Sequence, residues 1–258
     1  MQIVGVLKNK LSDTIIMSGR CLRHAFRSID TLITVIAMPI IMMLMFVYVF
    51  GGAINTGSVD YSNYVVPGIV IFTIVSSVAY TAVRLNMDAT TGIFDRFLSM
   101  PIAKSSIISG HVLTSVVFSA FSTVMVMLVA LLMGFRPKAG IIEWLLVIGI
   151  LLLFTTAMTW IAVISGLLAN SAEGAGVFAY PIMILPFVSS AFAPTASMHG
   201  AVRAFAENQP MTPIIDTVRS LLMNKPVGNN ALIAVLWCVG ILVVSYSASM
   251  FIYKRKTA

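Results

Sequence analysis

Three histidines, nine carboxylates and two cysteines are the side chains of this 258-residue chain whose types could hold a metal or move a proton. Their spacing joins none of them. His24, His111 and His199 share no metal-ligand interval with one another or with Cys21 and Cys238, so neither a metal site nor a disulfide framework follows. No paired carboxylates and no Ser-His-Asp order stand out, and no catalytic residue is assigned. Glu143 and Glu173 fall at the ends of apolar runs and His111 at the mouth of another, which leaves the run centres without an acid or base. An ion-coupled carrier needs such a group inside the membrane. A phosphate loop is missing too: G-x-x-x-x-G-K-[ST] does not occur, nor does any Gly-Lys pair. What remains are hydroxyls at helical spacing within apolar runs: Thr73, Ser76, Ser77 and Tyr80, then Ser115, Ser119 and Ser122, then Thr155 and Thr159. Such stripes either face a path for amphiphilic molecules or bond one helix to its neighbour.

The elements that must carry these hydroxyls are membrane spans. Hydrophobic residues make up 59% of the chain and charged ones 10%, against about 25% charged in a soluble domain. In water such a chain would present large apolar patches, which excludes a soluble enzyme. The 17 Gly and 10 Pro are too few for a collagen-like or disordered chain. Six charge-free apolar stretches run near 31–52, 64–83, 112–134, 144–169, 174–194 and 231–253. Runs of this length without period-two alternation are helices, because hydrocarbon leaves no other way to satisfy an open backbone. The expected fold is all-α: a polytopic membrane protein with six transmembrane helices in a single unit, 1–258. Residues 1–30 are cytoplasmic or interfacial, 31–253 hold the spans and 254–258 form a cytoplasmic tail.

Orientation follows from the basic residues. With the N-terminus inside, inner segments hold eleven Lys and Arg: five in residues 1–30, then Arg84, Arg96 and Lys104, then Lys254, Arg255 and Lys256. Outer segments hold five, namely Arg136, Lys138, Arg203, Arg219 and Lys225. This asymmetry puts both termini in the cytoplasm and accounts for the net charge of +7 without nucleic acid. No cleaved signal peptide is expected, because the basic N-terminal stretch lacks a continuous apolar core. Within residues 12–30, Ile15, Leu22, Phe26 and Ile29 share one helical face and Arg20, Arg23 and Arg27 another, the pattern of a helix lying in the headgroup region.

Two connections exceed the length a hairpin needs. Between the second and third spans, Ile93, Phe94, Phe97 and Leu98 make an apolar patch with Asp88, Asp95, Arg96 and Lys104 around it, and Met100-Pro101 stops the helix. This short amphipathic helix suits docking on a soluble partner, or else is a solvated connector. In the fifth stretch, Pro181 and Pro186 each remove a backbone bond. Beyond it Thr212 and Pro213 read as an N-cap and first helical position, with Ile214, Ile215, Val218, Leu221 and Leu222 on one face and Asp216 and Arg219 on another. That helix either dips into the outer leaflet as an external gate or is an inert surface helix.

The run from Gly92 to Ile102, GIFDRFLSMPI, resembles the segment after the second span in permease subunits of type-2 ABC exporters, and the daunorubicin-resistance branch in particular. Ser189 to Pro194, SSAFAP, and Phe205 to Pro213, FAENQPMTP, with Asp216 and Arg219 after them, are similar to that family's fifth span and Asn-x-Pro-x-Thr loop. The likeness covers essentially the whole chain, with one departure at Met198-His199-Gly200, where a proline is expected near His199. It implies a permease that moves hydrophobic or amphiphilic, antibiotic-like compounds out across a bacterial plasma membrane. It implies no enzyme in this chain and no cofactor of its own: ATP and Mg belong to separate ABC ATPase subunits. The further partners are a second permease, in a homo- or heterodimer, and membrane lipids. The ATPase-coupling residues carried over are Asp88, Gly92, Ile93, Phe94, Asp95, Arg96, Phe97, Leu98 and Pro101. The external gate is assigned to Pro181, Pro186, Asn208, Pro210, Asp216 and Arg219. A lipid or lipid-linked polysaccharide exporter of the same fold is the nearest alternative, and a nucleotide-independent membrane enzyme or scaffold is the alternative from another class.

Overall fold

A computed structural model of the chain describes residues 2–52, 60–99, 104–177 and 179–257. Every regular element among them is helical, and no strand occurs there. Helix α1, Gln2–Arg27, starts well before the stretch 12–30 in which the sequence pattern placed it. Ser28 then caps the next helix, its hydroxyl accepting from the Thr31 amide at 3.4 Å. Helix α2 follows at once over Ile29–Phe50. Its winding opens to π turns at Ile33–Ala37 and Met45–Phe50. The first lies just ahead of Pro39, whose missing N–H leaves the Val35 carbonyl without its regular partner.

Helix α3, Tyr61–Thr90, is the axis of the bundle. Of its apolar window 89% is buried, against 17% for α2. The short helix α4, Ile93–Leu98, leads to α5, Lys104–Leu132, and α6, Ile141–Leu168. The core runs between Val65, Ile69, Ile71 and Ile74 of α3, Val126 of α5, and Phe154 and Met158 of α6. The last helix, Asn230–Thr257, packs along α6, where Ser249 donates to the Trp160 carbonyl at 3.0 Å and Tyr246 meets the Trp160 ring edge-on.

Among the described residues five helices are long and apolar enough to cross a membrane, where the sequence pattern led to six. The difference lies in 174–194. This stretch folds as α7, Ala172–Val177, α8, Tyr180–Ile184, and a 3-10 turn at Leu185–Val188. Pro181 and Pro186 lack the N–H groups that would bond the carbonyls of Val177 and Ile182, which interrupts the regular backbone ladder of this segment. Beyond it come α9, Gly200–Asn208, and α10, Met211–Leu222; in chain order the long last helix, Asn230–Thr257, is α11. Helix α10 starts two residues earlier than the pattern indicated, with Pro210 rather than Thr212 at its N-cap. The outer faces of α2 and α11 stay apolar and open, with Tyr48, Val49, Val244 and Phe251 exposed. Surfaces of that kind require lipid, and the chain is a multi-pass membrane protein.

Where α6 ends, its last carbonyls need donors that lipid does not supply. Asn86 of α3, itself buried, donates its amide to the carbonyls of Gly166, at 3.0 Å, and Ala169. Asn86→Leu therefore strands two acceptors, at a cost of about 1–3 kcal/mol. The expected outcome is a lowered apparent melting temperature in detergent. An unchanged melting curve counts against this capping role.

Candidate functional site

The ends of α3 carry two polar clusters, separated by the 24 residues from Tyr64 to Asp88, or about 36 Å of helix. At the far end Asp88 is buried, and three elements converge on it. Arg20 of α1 donates Nη1 to Asp88 Oδ2 at 3.1 Å and Nη2 to Oδ1 at 3.4 Å. His111 of α5 lies with Nε2 3.3 Å from Oδ2, and Cys21 of α1 completes the cluster. The Arg20 guanidinium also sits 5.2 Å over the ring of Phe97, on α4. A carboxylate this deep is stable only with such partners. One charge thus joins α1, α3 and α5, and through Phe97 joins α4 as well. Burial, and then the negative charge of Asp88, pushes the Cys21 thiol above its ordinary range. Beside the cluster Thr114 of α5 donates to the Ser18 carbonyl at 3.3 Å, which fixes α1 against α5.

Helix α4 has the amphipathic form its sequence indicated. Gly92 adopts φ +72°, a left-handed turn that side chains disfavour, and it breaks the chain between α3 and α4. Phe94 then buries itself among Leu85, Ile107, Ile108 and Leu167. Arg96 faces solvent, Phe97 is half-buried and Ile93 is intermediate. The side chains of Asp95 and Leu98, and all of Pro101, lie outside the described residues.

The opposite cluster is built on Arg219 of α10. Its guanidinium donates to Asp216, to the Ser190 carbonyl and, at 3.1 Å, to the Tyr64 carbonyl, and it lies 3.9 Å over the Tyr64 ring. Ser190 in turn donates to Asp216 at 2.7 Å. Tyr61 donates to the Phe192 carbonyl at 2.9 Å and Tyr64 to that of Ser190 at 3.0 Å. A Cβ on Gly68 would fall 2.7 Å from the Ala191 backbone, so only glycine lets α3 approach so closely. Asp216 and Arg219 thus tie the broken 172–194 segment to α3 and α10. Pro181 and Pro186 create the break, Pro210 caps α10, and Asn208 only donates within α9, to Ala204 at 2.8 Å. The sequence reading missed Gln209, whose amide donates to the carbonyls of Leu185, at 3.0 Å, and Val188. It also missed what Thr212 does: its hydroxyl donates to the Ala206 carbonyl and accepts from the Ser190 amide. A proline break read together with the next amide side chain was the available signal.

Most hydroxyls of the three stripes lie buried between helices. Ser115 and Thr159 share a hydrogen bond of 2.9 Å across α5 and α6. Thr73, Ser76, Ser122 and Thr155 donate to carbonyls one turn back, and Ser77 and Ser119 are buried. Ser76 and Tyr80 also reach a cavity of about 510 Å³. It lies between the α1–α2 joint, α3 and the α7–α8 segment, with His24, Asp30, Arg84 and Tyr180 on its wall. Thr155 borders a separate apolar cleft of about 240 Å³ between α3, α5 and α6.

A multi-pass bundle with open apolar faces, a short helix set off by Gly92 at one end and a polar cluster around Arg219 at the other suits a membrane transport protein. The chain matches the ABC-2 type transporter family over residues 13–223 and belongs to that family, whose members are transport subunits of ABC transporters. It is similar to the daunorubicin resistance ABC transporter permease protein DrrB1 of Streptomyces coeruleorubidus, 27% identical over 88% of this chain and 81% of that one. It is also similar to the probable doxorubicin resistance ABC transporter permease protein DrrC of Mycobacterium tuberculosis, 23% identical over 95% of this chain and 89% of that one.

The Asp88 cluster is open to a double-mutant cycle. Asp88→Ala leaves the Arg20 cation and His111 without their acceptor and costs about 3 kcal/mol, the low end for a buried pair because the Arg20 side chain keeps 37% of its surface exposed. The Arg20–Asp88 coupling energy measured by unfolding of the purified protein should exceed the ~1 kcal/mol of an exposed pair. A coupling near zero overturns the role given to this carboxylate.

Proposed function

We propose that the chain is the membrane permease of an ATP-driven exporter, with α4 and its flanks, residues 84–104, docking a separate ATPase subunit on the cytoplasmic side of a bacterial plasma membrane. In this reading the segment 172–194 completes a sixth crossing, with the break serving as part of the path. Both termini are cytoplasmic, α1 lies in the inner headgroup region, and α9 and α10 are short re-entrant helices closing the outer end. The chain pairs with a second permease, identical or related. ATP and Mg are bound by the ATPase, which this chain cannot replace.

The observation that carries the reading is the contact of Phe97 with Arg20. A push on α4 reaches α1 directly through that cation and ring, and reaches α3 and α5 through Asp88. A surface connector has no need of such a linkage. The cavity of about 510 Å³ beside the α1–α2 joint offers aromatic rings, hydroxyls and apolar walls together, a lining suited to a hydrophobic or amphiphilic compound. The names of the relatives, which concern daunorubicin and doxorubicin resistance, fit cargo of that chemistry. The exposed apolar residues Leu11, Ile15 and Ile16 on α1 fit an interfacial position for that helix.

The test is export of a fluorescent anthracycline from vesicles in which the permease is co-expressed with its ATPase. Phe97→Ala should lower export about tenfold, the scale of a lost coupling term, while ATPase co-purification and membrane insertion persist. Full export after residues 92–98 are replaced by a flexible linker, or labelling of a cysteine at position 96 from the external face, overturns the proposal.

A further inference from the structure

The donors that sequence spacing left scattered come together on three helices. Cys21 of α1, Asp88 of α3 and His111 of α5 are all buried, and their Sγ, carboxylate and imidazole atoms lie within 4.8 Å of one another. We propose that these three side chains form a buried site for a borderline-soft divalent cation of the zinc class, with one water completing a tetrahedron. The site is independent of the ATPase-docking reading and concerns α1, α3 and α5 themselves.

Three features of the cluster support the site. The donor set is sulfur, nitrogen and oxygen, the combination that zinc takes and that hard cations such as magnesium or calcium do not. The separation of His111 Nε2 from Asp88 Oδ2 is 3.3 Å. Two donors each about 2.0–2.1 Å from a tetrahedral ion stand about 3.3 Å apart, so this edge already has the required length. Finally, a cavity of about 20 Å³ has Cys21 and His111 on its wall, together with Arg84, Thr114 and Ser115. That volume holds one water, and the Thr114 and Ser115 hydroxyls on its wall can accept the hydrogen bonds that a metal-bound water donates.

Arg84 on the cavity wall and Arg20 on the carboxylate both oppose a cation here, and the geometry of Arg20 accommodates it. Its Nη2 contacts Asp88 Oδ1 and its Nη1 contacts Oδ2. An incoming ion takes Oδ2 and leaves Oδ1 to the arginine, which then holds the ligating carboxylate from behind. Binding converts the Cys21 thiol to a thiolate and releases its proton to water, and the proton that His111 Nε2 shares with Asp88 moves to Nδ1, so that a neutral imidazole ligates through Nε2. The thiolate and the carboxylate then balance the two charges of the ion, and the charge of Arg20 faces solvent through its exposed part. Occupancy clamps α1 to α3 and α5 at the joint beneath α4.

Cobalt(II) is the probe, titrated into the reduced, full-length protein in detergent. The expected result is one equivalent bound with a thiolate-to-cobalt charge-transfer band and the strong visible bands of a four-coordinate ion, both bleached by zinc. Cys21→Ser and His111→Asn should each remove the charge-transfer band while retaining the helical circular dichroism, and Cys238→Ser should leave it intact. X-ray absorption of zinc bound to the Cys238→Ser protein, which needs no change at the site, should give one sulfur at about 2.3 Å and nitrogen or oxygen neighbours at about 2.0–2.1 Å. Absence of a thiolate band from the unaltered protein, a sulfur-free zinc shell, or a band that survives in Cys21→Ser and so marks an adventitious ion only, overturns the site.

Discussion

A backbone carbonyl set free inside a membrane has no water to turn to, and that constraint organises the polar side chains of this protein. At several places where a helix ends or breaks within the bundle, a donor from another element meets the carbonyls. Asn86 closes the end of α6 at Gly166 and Ala169. Gln209 answers the carbonyls of Leu185 and Val188 in the proline-broken segment. Tyr61, Tyr64 and Arg219 supply donors to the carbonyls of Phe192, Ser190 and Tyr64. Few polar residues are available in so apolar a chain, and many of the buried ones are used to satisfy backbone. This is the requirement that lipid places on irregular chain at membrane depth.

The same scarcity makes the two charged clusters mechanically significant. The Asp88 and Arg219 clusters lie at opposite ends of one helix, α3, whose apolar window is 89% buried. A rod so enclosed cannot tilt without moving its neighbours, because packed interiors are dense and transmit displacement rather than absorb it. Each cluster fastens a different set of neighbours to the rod. The Asp88 cluster takes α1, α4 and α5, and the Arg219 cluster takes α10 and the broken segment. Displacement at either end therefore reaches the other along α3 itself.

Much of this was legible in the sequence, and the omissions have a common cause. Long apolar runs fixed the all-helical class, and the spacing of Ile93, Phe94 and Phe97 placed α4 correctly. The face formed by Ile214, Ile215, Val218, Leu221 and Leu222 is buried as its period indicated. These are local patterns, written within one helical turn of one another. The Asp88 cluster draws on residues 20, 88, 97 and 111, and no spacing rule connects four helices. The sixth long helix failed for the opposite reason. Composition over 174–194 is apolar enough to span, but composition does not register the two N–H groups that Pro181 and Pro186 lack. Asn86 and Gln209 were passed over because an amide inside or beside an apolar run carries no mark of the carbonyl it will meet.

The two clusters also differ in how readily they can change. Arg219 is bonded to three acceptors and stacked on Tyr64, and its partners include backbone carbonyls that no proton can neutralise. Such an arrangement is lost only as a unit, when α10 leaves the segment it holds. The Asp88 cluster consists of side chains throughout, and its members have alternatives. Arg20 is partly exposed and can turn to water, and the side chains of His111 and Cys21 lie beside the same carboxylate. A joint made of side chains can be rearranged without unfolding a helix, whereas a plug made of backbone caps opens only by separation of whole elements. The two ends of α3 thus differ in kind: an adjustable linkage of side chains around Asp88, and a backbone-bonded cluster around Arg219 that separates only with its helix.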